Sequence, residues 1–240
     1  MTVAMPPLIS AHHGSCGVEG LRTRERYQRA IELAVDFVEC DIRRTMDGQY
    51  VIYHNPKTPS GRDVREIPSA ELSAEVGPDA LDLRELLEMA KGRVGLHIDL
   101  KEVGYEADVV RLVLTGFNES QFVITSLEDV SIRTIKERFP TVHAGLSLGR
   151  NLDHATARRW LTVRLSELFP NRRLMACRAD FVAVHKRLAT LRVLAYCAHK
   201  RIPAWVWTLE DERDTARFWP DPRVAVVITN RPDLVPRLGR

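Results

Sequence analysis

The chain predicts a (β/α)8 TIM barrel with a small β-hairpin and loop excursion after the second strand. Three observations carry that reading. Eight short apolar runs alternate with about eight helical stretches along 240 residues, the rhythm and length of one barrel. The runs are near-continuous in Val, Ile, Leu and Phe, as parallel strands buried on both faces require. A doubly wound open sheet, the alternative, would use a glycine-rich βα turn, and none of the right form is present.

The elements follow in order. Leu8–His12 is the first strand, and Thr23–Ala34 the first helix, with Tyr27, Ile31 and Ala34 on one face. Phe37–Arg43 is the second strand. Asp47-Gly48 is a hairpin turn signal leading into Tyr50–Tyr53 and His54, and a polar loop from Asn55 to Pro78 completes the excursion. Helix Leu83–Ala90, strand Val94–Leu100, helix Tyr105–Leu114 and strand Phe122–Thr125 come next, then helix Glu128–Phe139 and strand His143–Leu148. Helix Leu152–Leu168 precedes strand Phe181–His185, and helix Leu188–Lys200 precedes strand Ala204–Thr208. Short helices at Glu210–Phe218 and Pro232–Leu238 flank the last strand, Val224–Thr229. Residues 1–240 are read as one domain.

Composition narrows the function classes. The chain is 45% hydrophobic and 28% charged, with a formal net charge of +3, an ordinary globular balance. Arginine far outnumbers lysine, but the basic residues are scattered without a stripe of interleaved aromatics, which argues against a nucleic-acid partner. No run reaches the length of a membrane span, and Met1–Pro7 lacks the charged and apolar regions of a signal peptide. Cys16, Cys40, Cys177 and Cys197 are widely spaced with no CxxC pair, as expected of reduced thiols in a cytoplasmic protein. No feature specifies an oligomeric state.

Barrel active sites lie at the C-terminal ends of the strands, and there the polar residues gather. Side chains alternate between strand faces, so Glu39 and Asp41 point the same way, roughly 6.6 Å apart at their Cα atoms. Asp99 and Lys101 share a face for the same reason, while Cys40 turns the other way and packs under a helix. His12 ends the first strand, and the excursion carries His54 back over the mouth. Three carboxylates, a lysine and two histidines in these places suit a hard divalent cation and a phosphate.

The motifs resemble the glycerophosphodiester phosphodiesterase family. Its Ala-His-Arg-Gly opening appears as Ala11-His12-His13-Gly14. Its second block appears as Ala34 to Asp41, with Glu39-Cys40-Asp41, followed by Thr45-Met46-Asp47-Gly48 and His54-Asn55. Its third-strand Ile-Glu-Ile-Lys matches Ile98-Asp99-Leu100-Lys101, and its late motifs match Trp207-Thr208 and Thr229-Asn230-Arg231-Pro232. The likeness spans nearly the whole chain and is most specific from Asp36 to His54.

The resemblance implies a metal-dependent phosphodiesterase that releases glycerol 3-phosphate and an alcohol. It implies Glu39, Asp41 and Asp99 as ligands of Mg²⁺ or Ca²⁺, and His12 and His54 as the acid–base pair. Lys101 and His13 would contact substrate phosphate, and Trp207 would wall the substrate. Ser126 and His185 stand at the ends of the fourth and sixth parallel strands. Four departures bear on the substrate. His13 replaces the family arginine, Gly20-Leu21-Arg22-Thr23 stands for Pro-Glu-Asn-Thr, Asp99 replaces a glutamate, and Asn55 and Asn230 replace aspartates. Arg150 and Arg231 are placed to supply the missing guanidinium. Asp-x-Lys also occurs in the sphingomyelinase D branch, so a phospholipase D-like enzyme on lysophospholipid or sphingomyelin is the first rival. A phosphate-binding barrel without turnover is the second.

Overall fold

A computed structural model describes residues 6–77 and 80–236. Eight parallel strands close on themselves: β1 (Leu8–Ala11), β2 (Phe37–Arg44), β4 (Gly95–Leu100), β5 (Phe122–Ser126), β6 (His143–Leu148), β7 (Phe181–His185), β8 (Ala204–Leu209) and β9 (Val224–Thr229). Closure comes from β1, which pairs with both β2 and β9. The short β3 (Tyr50–Ile52) runs antiparallel along β2. This is the predicted (β/α)8 TIM barrel with its hairpin excursion.

The helices cover the outside of the strands, and the main apolar core lies between the two layers. Outward-facing Val38, Cys40, Ile42, Ile98 and Leu100 pack there, each fully or almost fully buried. A second cluster fills the barrel interior: Trp205 stacks on Phe181, with ring centroids 4.5 Å apart, and Phe37 and His97 close on its other sides. Room for Phe181 comes from Gly145 opposite, where a Cβ would lie 2.2 Å from the ring. Large and small inward residues thus alternate to fill the barrel, which is a packed core and not a channel.

Helix α1 (Thr23–Glu32) stops two residues short of the expected Ala34, which turns left-handed at φ 53°. The loop predicted from Asn55 to Pro78 is more ordered than its polarity suggests; Pro78 itself lies outside the described residues. It holds a 3-10 turn, Val64–Glu66, and helix α2 (Ser69–Val76), where Val64, Ile67 and Leu72 bury against Val51. Helices α3 (Leu83–Ala90), α4 (Glu106–Val113) and α5 (Asp129–Arg138) match expectation closely.

After β6 the single expected helix is two. Thr156 caps α6 (Ala157–Leu168), so the helix begins five residues later than its apolar pattern. Pro170 then opens α7 (Asn171–Cys177), which turns Leu174 and Cys177 into the core. The helix expected from Leu188 is continuous as α8 (Lys186–Leu188), a π turn (Ala189–Val193) and α9 (Leu194–Lys200). Helix α10 (Glu212–Phe218) follows β8, and among the described residues a 3-10 turn, Pro232–Leu234, stands where the helix Pro232–Leu238 was expected to begin. Leu238 lies outside the described residues.

Candidate active site

Strand register assembles the site. Glu39 pairs across the sheet with His97, Asp41 with Asp99, and Asp99 with Thr125. Because neighbours in register share a face, five polar side chains from three strands meet inside the barrel end. Glu39, Asp41 and Asp99 are all buried.

The carboxylates do not converge as a free triad. Lys101 Nζ sits between Asp41 Oδ1 at 2.6 Å and Asp99 Oδ2 at 2.7 Å. His13 Nε2 lies 2.8 Å from Asp41 Oδ2 and 3.9 Å from Glu39 Oε2. Charge is therefore shared along a row from Glu39 through His13, Asp41 and Lys101 to Asp99. Burial alone would raise Asp41, but Lys101 and His13 outweigh it and hold its carboxyl well below the usual range. Burial and the Asp41 charge push Glu39 up to about 8. Burial would lower His13, yet Glu39 and Asp41 raise it. Lys101 rises for the same reason, against its own desolvation.

The turn at the end of β1 sets the histidines. His12–Gly14 is a 3-10 turn in which His13 adopts φ 51° and Gly14 φ 64°. His13 in that left-handed well costs on the order of 1–2 kcal/mol. Its N–H gains a bond to Glu39 Oε2 at 2.7 Å. At Gly14 a Cβ would meet the Tyr27 ring at 2.6 Å. Tyr27, fully buried, donates its hydroxyl to the Glu39 carbonyl at 2.9 Å. The opening turn and the carboxylate strand are thus locked together through α1.

His12 Nδ1 is 2.8 Å from Asn230 Oδ1. A carbonyl oxygen only accepts, so Nδ1 carries the proton and Nε2 keeps its lone pair. Burial, reinforced by the neighbouring His13, lowers His12 to about 3, so the ring is neutral. His54 is exposed on the excursion, with its ring 5.4 Å from that of His13. Its backbone is fixed by a residue that sequence reasoning passed over. Buried Arg43 donates twice to the His54 carbonyl, at 3.1 and 2.9 Å, and pairs with Glu102 at 2.5 Å. Arg43→Ala should cost about 1–3 kcal/mol, the scale of lost charge-assisted hydrogen bonds, since it leaves Glu102 only the more distant Arg65 at 4.0 Å. It should also lower turnover by freeing His54, which denaturation midpoints and kcat together would check.

His97 is a second omission. Thr125 donates its hydroxyl proton to Asp99 Oδ1 at 2.6 Å, so its oxygen must accept from His97 Nε2 at 2.9 Å. Nδ1 then accepts from the Ser10 hydroxyl at 3.1 Å. Burial lowers His97 to about 4, in keeping with one proton on the ring. Ser10, His97 and Thr125 form a one-way chain that ends on Asp99. The alternation of His97 with Asp99 and Lys101 was the signal that could have found it.

The remaining candidates sort by contact. Trp207 is half-buried at the end of β8, edge-on to His185 and beside Gly149. Ser126 is fully buried and donates to the Leu100 carbonyl, away from the mouth. Arg150 is engaged by Glu128 and Arg231 by Asp233. Arg26 was not anticipated. Its Nε is buried without a partner, and among the described residues no carboxylate pairs with it. With Cys16, Leu21, Asn230 and Arg231 it lines a cavity of about 480 Å³ beside His12, which Glu19 and Glu210 also border.

Two groups of potential metal ligands lie at the mouth, His12 with His13 and Glu39, and His13 with Asp41 and His54. Within each, the donor atoms lie within 4.8 Å of one another. Both Asp41 oxygens are buried and already face cations, Oδ1 the Lys101 Nζ at 2.6 Å and Oδ2 the His13 Nε2 at 2.8 Å. The buried carboxylates of Glu39 and Asp41 supply the anionic oxygens that a divalent cation takes, beside three imidazole nitrogens. Asp99 joins them only through Lys101.

The glycerophosphoryl diester phosphodiesterase family model matches residues 22–153. A Bacillus subtilis (strain 168) protein, YhdW, provisionally named a glycerophosphodiester phosphodiesterase, is 21% identical over 97% of this chain and 98% of its own. The crystal structure of a glycerophosphodiester phosphodiesterase from Parabacteroides distasonis ATCC 8503 superposes with a TM-score of 0.76 at 17% identity, over 95% of this chain and 94% of that one. A phosphodiesterase from Oleispira antarctica, solved with the product sn-glycerol-3-phosphate, gives 0.73 at 17% identity over 95% and 94% of the two chains.

Proposed function

This chain belongs to the glycerophosphoryl diester phosphodiesterase family, and on that footing we propose that it hydrolyses glycerophosphodiesters to sn-glycerol 3-phosphate and an alcohol with the help of a divalent cation. The observation that carries the reading is the buried pair Glu39 and Asp41 at the strand ends, with the neutral His12 beside them. Glu39 and Asp41 would hold Mg²⁺ or Ca²⁺, and Asp99 would join them where the cation displaces Lys101 from between it and Asp41. Bound there, the cation would supply Lewis-acid stabilisation of charge on the phosphate. Lys101 adds a fixed positive charge next to the same carboxylates. His13, tied to Asp41 and Glu39, is a weaker phosphate contact than the family arginine and balances the carboxylates as much as it meets substrate.

His12 Nε2 is the base in this reading. It takes the proton of the attacking hydroxyl, either water or a neighbouring hydroxyl of the substrate, while the bond from phosphorus to the departing oxygen breaks. His54, held by Arg43, gives a proton to that oxygen. Trp207 walls the bound substrate. Arg26 takes the role of the missing guanidinium: Arg26→Ala should raise KM about tenfold or more, with a smaller change in kcat, which steady-state kinetics would read. The four free, buried cysteines suit a reducing, cytoplasmic setting.

The test is hydrolysis of glycerophosphocholine after chelation and after Mg²⁺ or Ca²⁺ is restored. Cation-dependent glycerol 3-phosphate is expected. Chelator-insensitive turnover, or no turnover of any glycerophosphodiester, would overturn the reading. A second reading, release of choline from lysophospholipid, is favoured by one observation, the exposed apolar helix α6.

A further inference from the structure

Helix α6 does not behave as a barrel helix. Of its 12 residues only Glu167 is buried, although a surface helix normally buries an apolar stripe. The covering of the strands at this point falls instead to α7, which packs Leu174 and Cys177 inward. Helix α6 is an added element, and Glu167 shows where it is fastened. Its Oε1 accepts from the N–H groups of Gly149 and Arg150, at 2.9 and 2.8 Å, at the C-terminal end of β6. Arg164 pairs with Glu167 at 2.5 Å and donates to the Arg150 carbonyl at 3.0 Å. Helix α6 therefore stands on the rim of the mouth, next to the Gly149 that abuts Trp207.

What it offers to solvent is apolar and cationic together. Trp160, Leu161, Leu165, Phe169 and Leu191 are between 47% and 71% exposed. Arg192 lies over the Phe169 ring at 4.2 Å, which joins the π turn to the end of α6 in one surface. Arg158, Arg159, Arg187 and Arg192 are exposed, and among the described residues none pairs with a carboxylate. From residue 157 to residue 192 the only acids are Glu167 and Asp180. Both are used internally, the second by Lys136 at 2.8 Å.

We propose that this face docks on an anionic lipid bilayer and sets the barrel mouth against it. Apolar side chains reach the acyl boundary while the surrounding arginines meet the headgroups, the arrangement of an interfacial helix. The charge pattern separates this occupant from a second copy of the chain. A two-fold interface would press the same surface onto itself, opposing arginine to arginine, with only Asp153 and Asp211 at its edges to set against four unpaired arginines. An anionic membrane supplies the counter-charge and takes up the apolar groups at once. Amphiphilic phosphodiesters in that surface would then lie at the mouth.

The proposal does not depend on turnover, so its test reads binding. Wild-type protein is mixed with vesicles of phosphatidylcholine containing about one-third phosphatidylglycerol, or of phosphatidylcholine alone, and sedimented. It should partition strongly to the anionic vesicles and be released by raising the salt from about 0.1 to about 1 M. Arg158→Gln and Arg159→Gln should each weaken partitioning about fivefold, and Leu161→Asp with Leu165→Asp should abolish it. All variants should keep the wild-type melting temperature, and their hydrolysis of soluble glycerophosphocholine should be unchanged wherever the wild type shows it. Equal partitioning to both vesicle types, or none to either, would overturn the proposal. So would a wild-type dimer in light scattering that the Leu161→Asp, Leu165→Asp variant converts to monomer.

Discussion

Replacing Glu39 by Gln is expected to lower turnover at least ~1000-fold, the scale of a lost metal ligand, and to remove the thermal stabilisation expected of the wild type on adding Mg²⁺ or Ca²⁺. The fold should survive. Gln matches the shape of Glu and relieves the repulsion with Asp41 that, with burial, drives Glu39 up to about 8. The pH dependence distinguishes this account from simple damage. A carboxyl raised from 4.5 in the unfolded chain to about 8 in the fold stabilises the cation-free protein at low pH. That contribution is lost as pH rises through this window. Melting temperatures of the cation-free wild type should therefore fall across it relative to Glu39→Gln. Cation binding must also expel the Glu39 proton below about pH 8, so apparent affinity should weaken by up to about tenfold per unit of acidification. An identical cation-induced shift in the two proteins would remove Glu39 from the metal site.

His12→Ala should cost between about 100-fold and about 10,000-fold in kcat, the range for a positioned base, while leaving the cation-induced shift intact. Asn230 supplies the finer test. As a neutral amide it fixes the ring and favours its charged form only weakly, so burial and the neighbouring His13 still take His12 down to about 3. Asn230→Asp would place a carboxylate at 2.8 Å and favour the imidazolium, raising the pKa by about 1–3 units. The proton then leaves only at higher pH, so the acid limb of kcat/KM should move upward. Activity near pH 8 should be little altered. A profile unmoved by Asn230→Asp would mean that His12 is not the group that must be neutral.

Much of this was legible along the chain. Strands such as His143–Leu148 and Val224–Thr229 announce themselves because both faces are buried, leaving unbroken apolar runs. Helices α2 and α7 do not, being short, opened by prolines and apolar at only a few positions. Strand alternation alone brought Glu39, Asp41, Asp99 and Lys101 to one face. It could not show that Lys101 would part Asp99 from Asp41, since that depends on register between β2 and β4. Nor could it reveal Asn230 on His12, whose bond joins residues 218 apart in sequence. Arg43 was passed over as the end of a strand, because only the hairpin carries the His54 carbonyl onto it. Arg26 drew no notice because an unpaired guanidinium is visible only when its neighbours are known.

The closed barrel divides its labour unevenly along the chain. The proposed acid–base pair, the metal-ligand candidates and Lys101 all lie between His12 and Lys101, on or just past β1, β2, the hairpin and β4. The opposite wall contributes Trp207 and, fastened by Glu167, Arg164 and Leu168, the whole of α6. A molecule so arranged can be edited in halves. The connection from Gly149 to Pro170 is a natural cassette for grafting: exchanging it would re-address the enzyme to a different surface or headgroup while its hydrolytic half is inherited untouched.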